Sequence, residues 1–187
     1  HDGYPAVADY EAVVALIEAA ERLGHRYHLG VTATAPGFFG AQGRPIPQLP
    51  IRYPDLAEDM ARQRVLNFEM EASALLVLAS LGRCRAGVVC AVYANRTTGQ
   101  FIDGHTKDAA EAACVETGLE SLLVLAEMDR QKRESGTDRW RPSIWQTAAR
   151  PGSPSGPRRS ALRTLTDPSL VMMRATPASS SKVNPTA

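Results

Sequence analysis

AGVVCAVYA, residues 86–94, is an unbroken run of small and apolar residues of strand length. A strand with one wet face alternates polar and apolar positions. A continuous run is typical of a strand covered on both faces, as in sheets flanked by helices. Upstream, YHLGVTATA at residues 27–35 is β-branched and apolar enough for a second strand. Helical patterns lie around these two. Asp9 is suited to cap a helix starting near Tyr10, with Val13, Ile17, Ala20 and Leu23 on one face and Gly24 to end it. Residues 55–66 read as a polar amphipathic helix and 67–70 as a short extended piece. Residues 71–81 are apolar nearly all round, which predicts a buried helix closed by Gly82. Residues 105–128 give a long final helix. Strands alternating with helices argue for an α/β layered domain.

The 187 residues suffice for one domain with a sizeable core. The net charge of +1 describes neither half. Residues 1–130 hold 11 Lys+Arg against 17 Asp+Glu, net −6, whereas residues 131–187 hold 10 against 3, net +7. The second segment has seven prolines, nine serines and eight arginines, and no apolar periodicity. It is expected to be a disordered basic tail. Its basic residues are scattered without interleaved aromatics, which argues against a nucleic-acid arm. Trp140, Trp145 and SLVMM are isolated apolar points within it. Cys84, Cys90 and Cys114 form no spaced framework and leave one unpaired, which fits a reducing cytoplasm. No apolar run approaches the roughly 20 residues of a membrane span, and no signal peptide is visible.

Two stretches carry possible chemistry. NFEMEAS, residues 67–73, brackets Met70 with Glu69 and Glu71 beside an apolar segment. A buried carboxylate is costly unless paired or hydrogen-bonded. In an extended segment the two side chains share one face. They could hold a metal, trade a proton, or accept hydrogen bonds from a vicinal diol such as a ribose. A metal would need further ligands, and none is adjacent. The plainer alternative pairs both with arginines such as Arg62 or Arg64. GFFGAQGR, residues 37–44, supplies the amide of Gln42, the guanidinium of Arg44 and two aromatic rings. Gln42 and Arg44 together suit a flat heterocycle with an N–H between two carbonyls. No metal-type spacing, P-loop, nucleophile elbow or dinucleotide fingerprint is present.

In order along the chain, YPAVADYEA, GVTATAPGFFGAQGR, NFEMEASALL and AGVVCAVYANRT resemble the C-terminal half or more of the uridine phosphorylases, in the nucleoside phosphorylase superfamily. The likeness covers about residues 3–128. It implies a three-layer αβα sandwich around a mixed sheet, incomplete at its N-terminus, followed by the atypical tail. It implies reversible phosphorolysis of uridine to uracil and ribose 1-phosphate, with inorganic phosphate as co-substrate, no other cofactor, and a cytoplasmic homo-oligomer, dimer or hexamer. By the same likeness Glu69, Met70 and Glu71 grip the ribose, Glu71 taking its hydroxyls. Gln42 and Arg44 read uracil, Arg44 also stabilising the leaving group. Phe38 packs on the nucleoside, and Phe68, Tyr93, Ala94 and Arg96 complete the pocket. Tyr93 is bulkier than the aliphatic the family pattern suggests. Arg96 stands near the place where the related purine phosphorylases carry an acid, which favours a pyrimidine. The likeness further implies that the phosphate loop and phosphate arginines belong to a part preceding this chain. The alternatives are a purine phosphorylase or nucleosidase of the same superfamily, or a non-catalytic nucleoside-binding remnant.

Overall fold

The computed structural model describes residues 4–138, Trp140 and the backbone of residues 170–177. Helix α1 spans Tyr10–Leu23. Its start is fixed as the sequence suggests: the Asp9 carboxylate accepts from the Glu11 and Ala12 amides at 3.0 and 3.1 Å. Gly24 closes it at φ 71°, in the left-handed region that glycine enters at no steric cost. Strand β1, Tyr27–Thr34, follows, then a 3₁₀ turn at Gly40–Gln42. Helix α2 is Leu56–Arg62 and strand β2 is Val65–Glu69. Helix α3 is Ala72–Leu81 and strand β3 is Val88–Ala91. Short strands β4, Ala94–Asn95, and β5, Gln100–Phe101, form an antiparallel pair. Helix α4 runs Gly104–Ser135, and strand β6 is Leu170–Pro177.

The chain is α/β, with a four-stranded mixed sheet in the order β2-β1-β6-β3. β2 and β6 both run parallel to β1, and β3 runs antiparallel to β6. Helices α1 and α4 pack on one another through Ala15, Val124 and Met128, with Val14, Leu125 and Trp140 around them. α1 reaches the sheet through Leu16 and Ala20, which pack against Tyr27 of β1 and Val89 of β3. A second core joins Ala6 and Ala8 to Ala72 and Leu76 of α3.

A charge network closes the end of this layer. Glu11 is 7% exposed and accepts from Arg85 at 2.9 Å, from the Tyr10 hydroxyl at 3.0 Å and from Lys132. Arg85 also grips Asp129 with both terminal nitrogens, at 2.9 and 2.6 Å. Burial alone would raise the Glu11 pKa. The hydrogen bonds from Lys132, Arg85 and Tyr10 outweigh it and hold the carboxyl below its ordinary value. Nearby, buried Glu18 accepts from Arg22 at 2.5 Å, and Arg22 also reaches Glu120 at 3.2 Å.

The structure departs from the sequence expectations in three places. α2 stops at Arg62 rather than residue 66, because Arg64 turns left-handed at φ 63° and sends Val65 into a strand. α3 is buried on one side only: Ala72 and Leu76 are enclosed, while Leu75, Leu78 and Leu81 are 51–68% exposed. The run at residues 86–94 is not one strand. It breaks after Ala91, and Ala94 starts the small β4–β5 pair. Within residues 131–187, α4 continues to Ser135, Trp140 packs against the α1–α4 core, and LVMM of the SLVMM motif opens β6. Trp145 lies outside the described residues.

Candidate functional site

The parallel strands β1 and β2 are in register at their C-terminal ends, Ala33 opposite Phe68 and Thr34 opposite Glu69. The carboxyl ends of parallel strands are where open α/β sheets leave a crevice for ligands. The loop after β1 delivers Phe38, Gln42 and Arg44 to this end. Gly43 shapes that delivery. It sits at φ 65°, and a side chain there would press on the Tyr53 carbonyl at 3.0 Å and Leu56 at 3.1 Å. Gln42 is therefore tucked in, 4% exposed, while Arg44 emerges half-buried.

The Arg44 guanidinium carbon lies 4.2 Å from the centre of the Phe38 ring, a cation–π contact. Phe38 in turn meets Phe39 edge-on, centroids 5.2 Å apart. Arg96, just after β4, donates to the Gln42 backbone carbonyl and stands 5.2 Å from the Phe68 ring. Burial, and then the positive charge of Arg44, lower the Arg96 pKa. Two guanidiniums and three aromatic rings thus converge on one corner. The Arg44 Nε is buried and meets no acceptor among the described residues. A buried donor left open is costly, and an acceptor placed at this corner would offset that cost.

The two glutamates separate. Glu69 ends β2 and turns back: its Oε1 accepts from the Thr34 hydroxyl, and its Oε2 accepts from the amides of Glu71 at 2.8 Å and Ala72 at 2.5 Å. Those amides are the unpaired donors at the start of α3, where a carboxylate also meets the positive end of the helix dipole. The Thr34 hydroxyl completes the joint by accepting from the Ser73 amide at 3.0 Å. Three of the roughly four acceptor sites of the Glu69 carboxylate are thus taken, so the two glutamates do not present equivalent carboxylates on one face. The chain leaves the strand after Glu69, and hydrogen bonding fixes the corner. Glu71 and Met70 are exposed there, Met70 at 39%. Arg62 bonds to Asp59 rather than to either glutamate.

Ala94 is half-buried in β4. Tyr93 is held from the other side, its hydroxyl donating to Glu111 of α4 at 2.6 Å. That bond, with burial and the negative charge of Glu111, pushes the Tyr93 pKa up to about 12. Lys107 completes this group, 3.3 Å from Glu111 and 5.7 Å from the Tyr93 ring. Thr34, Glu111 and Lys107 were not singled out by sequence. They act on the candidate residues from distant positions, and no local pattern marks them. Among the described residues no cluster of three or more His, Cys, Asp or Glu side chains is placed to hold a metal, and no helix is long and apolar enough to cross a membrane.

The profile of the family described as "Phosphorylase superfamily" matches residues 1–120. The chain belongs to the phosphorylase superfamily. It is 46% identical over 143 residues to the protein named uridine phosphorylase of Thermococcus kodakarensis, covering 75% of this chain and 50% of that protein. It is 33% identical over 121 residues to the uridine phosphorylase of Escherichia coli, covering 63% and 48%. A DeoD-type purine nucleoside phosphorylase of Roseobacter denitrificans is 28% identical over 120 residues, covering 64% and 47%. This superfamily member spans about half the length of the curated relatives it matches. The β1 loop, the β2–α3 corner and β4 all lie within the matched residues.

Proposed function

We propose that this chain supplies the nucleoside-binding part of a uridine phosphorylase. The reaction is reversible phosphorolysis: a phosphate oxygen bonds to the anomeric carbon, the bond from that carbon to uracil N1 breaks, and its electron pair leaves with the uracil. The observation that carries this reading is the open donor of Arg44 beside Gln42, Arg96 and the aromatic rings. Gln42 and Arg44 complement the uracil edge, and Arg44 stands where negative charge grows on the departing base. A donor fixed in place before the charge develops needs no reorganisation. Arg96 would add a second positive group, and Phe38, Phe68, Tyr93 and Ala94 would enclose base and sugar. Glu71, exposed at the corner, takes the ribose hydroxyls with Met70 against the sugar. Glu69 holds the corner beneath Glu71 and joins the ribose grip through its remaining acceptor capacity.

The relatives with the higher identities are named uridine phosphorylases, and the purine enzyme matches at lower identity. Inorganic phosphate is the co-substrate and no other cofactor enters the reaction. A three-layer αβα sandwich is the architecture of the whole domain in this proposal, and self-association its assembled state, supported by the exposed leucines of α3 and α4. The three free thiols fit a cytoplasmic setting. The test joins this chain to the part of the Thermococcus kodakarensis protein that it does not match. Uracil release from uridine is then followed with and without phosphate, and inosine is run beside it. Phosphate-dependent release with uridine preferred is expected. Equal use of inosine, or release indifferent to phosphate, would overturn the assignment.

A further inference from the structure

An interior strand of the sheet comes from outside the shared domain. The family match ends at residue 120, yet β6, Leu170–Pro177, lies between β1 and β3. It pairs with all of β1, from Tyr27 opposite Leu170 to Thr34 opposite Pro177, and with β3 from Val88 opposite Met173 to Ala91 opposite Leu170. β1 and β3 lie within the family match and β6 lies outside it. Without β6, the place between β1 and β3 is either filled by other chain or closed by direct pairing of the two strands.

The packing around the gap favours filling. Adjacent strands lie about 4.8 Å apart, so β1 and β3 are held two strand spacings apart, close to 10 Å. Helix α1 sets that distance by touching both: Leu16 and Ala20 pack against Tyr27 on one side and Val89 on the other. The entry to β3 is pinned to the same helix. The Asp9 amide donates to the Ala86 carbonyl at 2.8 Å, and a side chain at Gly87 would meet Leu16 at 2.9 Å. Direct pairing of β1 with β3 would require these contacts to break. The gap is therefore a preformed slot with unpaired backbone groups on both walls once β6 leaves, and such walls recruit an extended segment.

We propose that the slot between β1 and β3 is a strand-acceptor site for an extended segment of the half of the superfamily domain that these residues do not match, and that β6 competes with it. The partner strand runs parallel to β1 and antiparallel to β3. Its register spans up to the eight residues of β1 on one side and the four of β3 on the other. The proposal rests on family membership and on sheet order, not on the reaction, so its test reads association and backbone protection rather than turnover.

The probe is the unmatched half of the Thermococcus kodakarensis uridine phosphorylase, added to the full 187-residue chain. Hydrogen exchange is followed at β1, β3 and β6. On binding, the β6 amides are expected to lose protection by about tenfold or more, while β1 and β3 stay protected. A Met172→Pro chain, lacking one amide of β6, is expected to expose β1 and β3 on its own and to bind the probe about tenfold more tightly than the unsubstituted chain. Joining the probe ahead of His1 keeps the exchange measurement readable if the free half is insoluble. If β6 stays protected in the complex, if neither chain takes up the probe, or if Met172→Pro alone leaves β1 and β3 fully protected, the slot is not an acceptor.

Discussion

Glu11 and Arg44 are both charged groups set against apolar surroundings, and the structure treats them in opposite ways. Around Glu11 the charges are satisfied: Arg85, Lys132 and Tyr10 reach the carboxylate, and Asp129 takes the other side of Arg85. Around Arg44 the network is left open: Nε is enclosed and meets no acceptor among the described residues, and burial, then the Arg44 charge, lower the pKa of neighbouring Arg96. Folding alone would select against the second arrangement. A closed network serves stability, whereas an open donor carries the cost of its own burial until an acceptor reaches it.

The contrast breaks most sharply at Glu11. Glu11→Ala leaves two cations without their enclosed acceptor. Both remain partly exposed to water, so the expected loss is about 2–3 kcal/mol, below the full penalty of a buried pair, read as a lower urea midpoint. Arg44→Ala is expected to do the reverse. Urea unfolding of this chain should change by less than about 0.5 kcal/mol. In the joined protein uridine turnover should fall by about one to two decades, the cost of a charged hydrogen bond made in the transition state. Equal losses of stability in the two variants would mean that both groups serve the fold alike. Thr34→Val removes the hydroxyl that links Glu69 to the Ser73 amide, and about 1–2 kcal/mol of stability should go with it. It should also weaken ribose contacts by loosening the turn beneath Glu71, seen as a raised KM for uridine.

A pH titration sharpens the same comparison. The Glu11 carboxyl is held below its ordinary value of 4.5 in the folded chain. Its contribution is therefore fully present above pH 4.5 and lost as pH falls through the folded value. The thermal midpoint should drop over that acid range, and the slope should flatten in Glu11→Gln. The smallest effect is expected at the outer face of α4, where Val115, Leu119, Leu122 and Leu123 are each 60–65% exposed. Leu119→Lys with Leu122→Lys should change the thermal midpoint little and reduce self-association in sedimentation.

Where structure follows from neighbours in sequence, the sequence displayed it. Asp9 and Gly24 bound α1 as expected because capping is a local hydrogen-bonding event. Gln42 and Arg44 were marked by their own functional groups, and their glycine-rich loop by its composition. What stayed hidden depends on partners far along the chain. The two-residue spacing of Glu69 and Glu71 predicts one shared face, but the Thr34 hydroxyl and the first amides of α3 capture Glu69. The apolar circumference of α3 predicts burial on all sides, yet the described residues cover only its Ala72 and Leu76 side. β6 was invisible for the same reason. Its residues stand in a proline- and serine-rich segment, and only the edges of β1 and β3 give them a role.

The pairing of β1 with β6 also sets an order of events. Tyr27 and Leu170 are partners across 143 intervening steps of chain, the difference of their numbers. Every other described element leaves the ribosome before β6 does. Helices α1 and α4 can meet early, yet the centre of the sheet closes last. Loop closure over such a span must be met before its contacts give any return, which slows folding. In the meantime β1 and β3 face solvent with bare backbone edges, the condition under which nascent chains pair with one another.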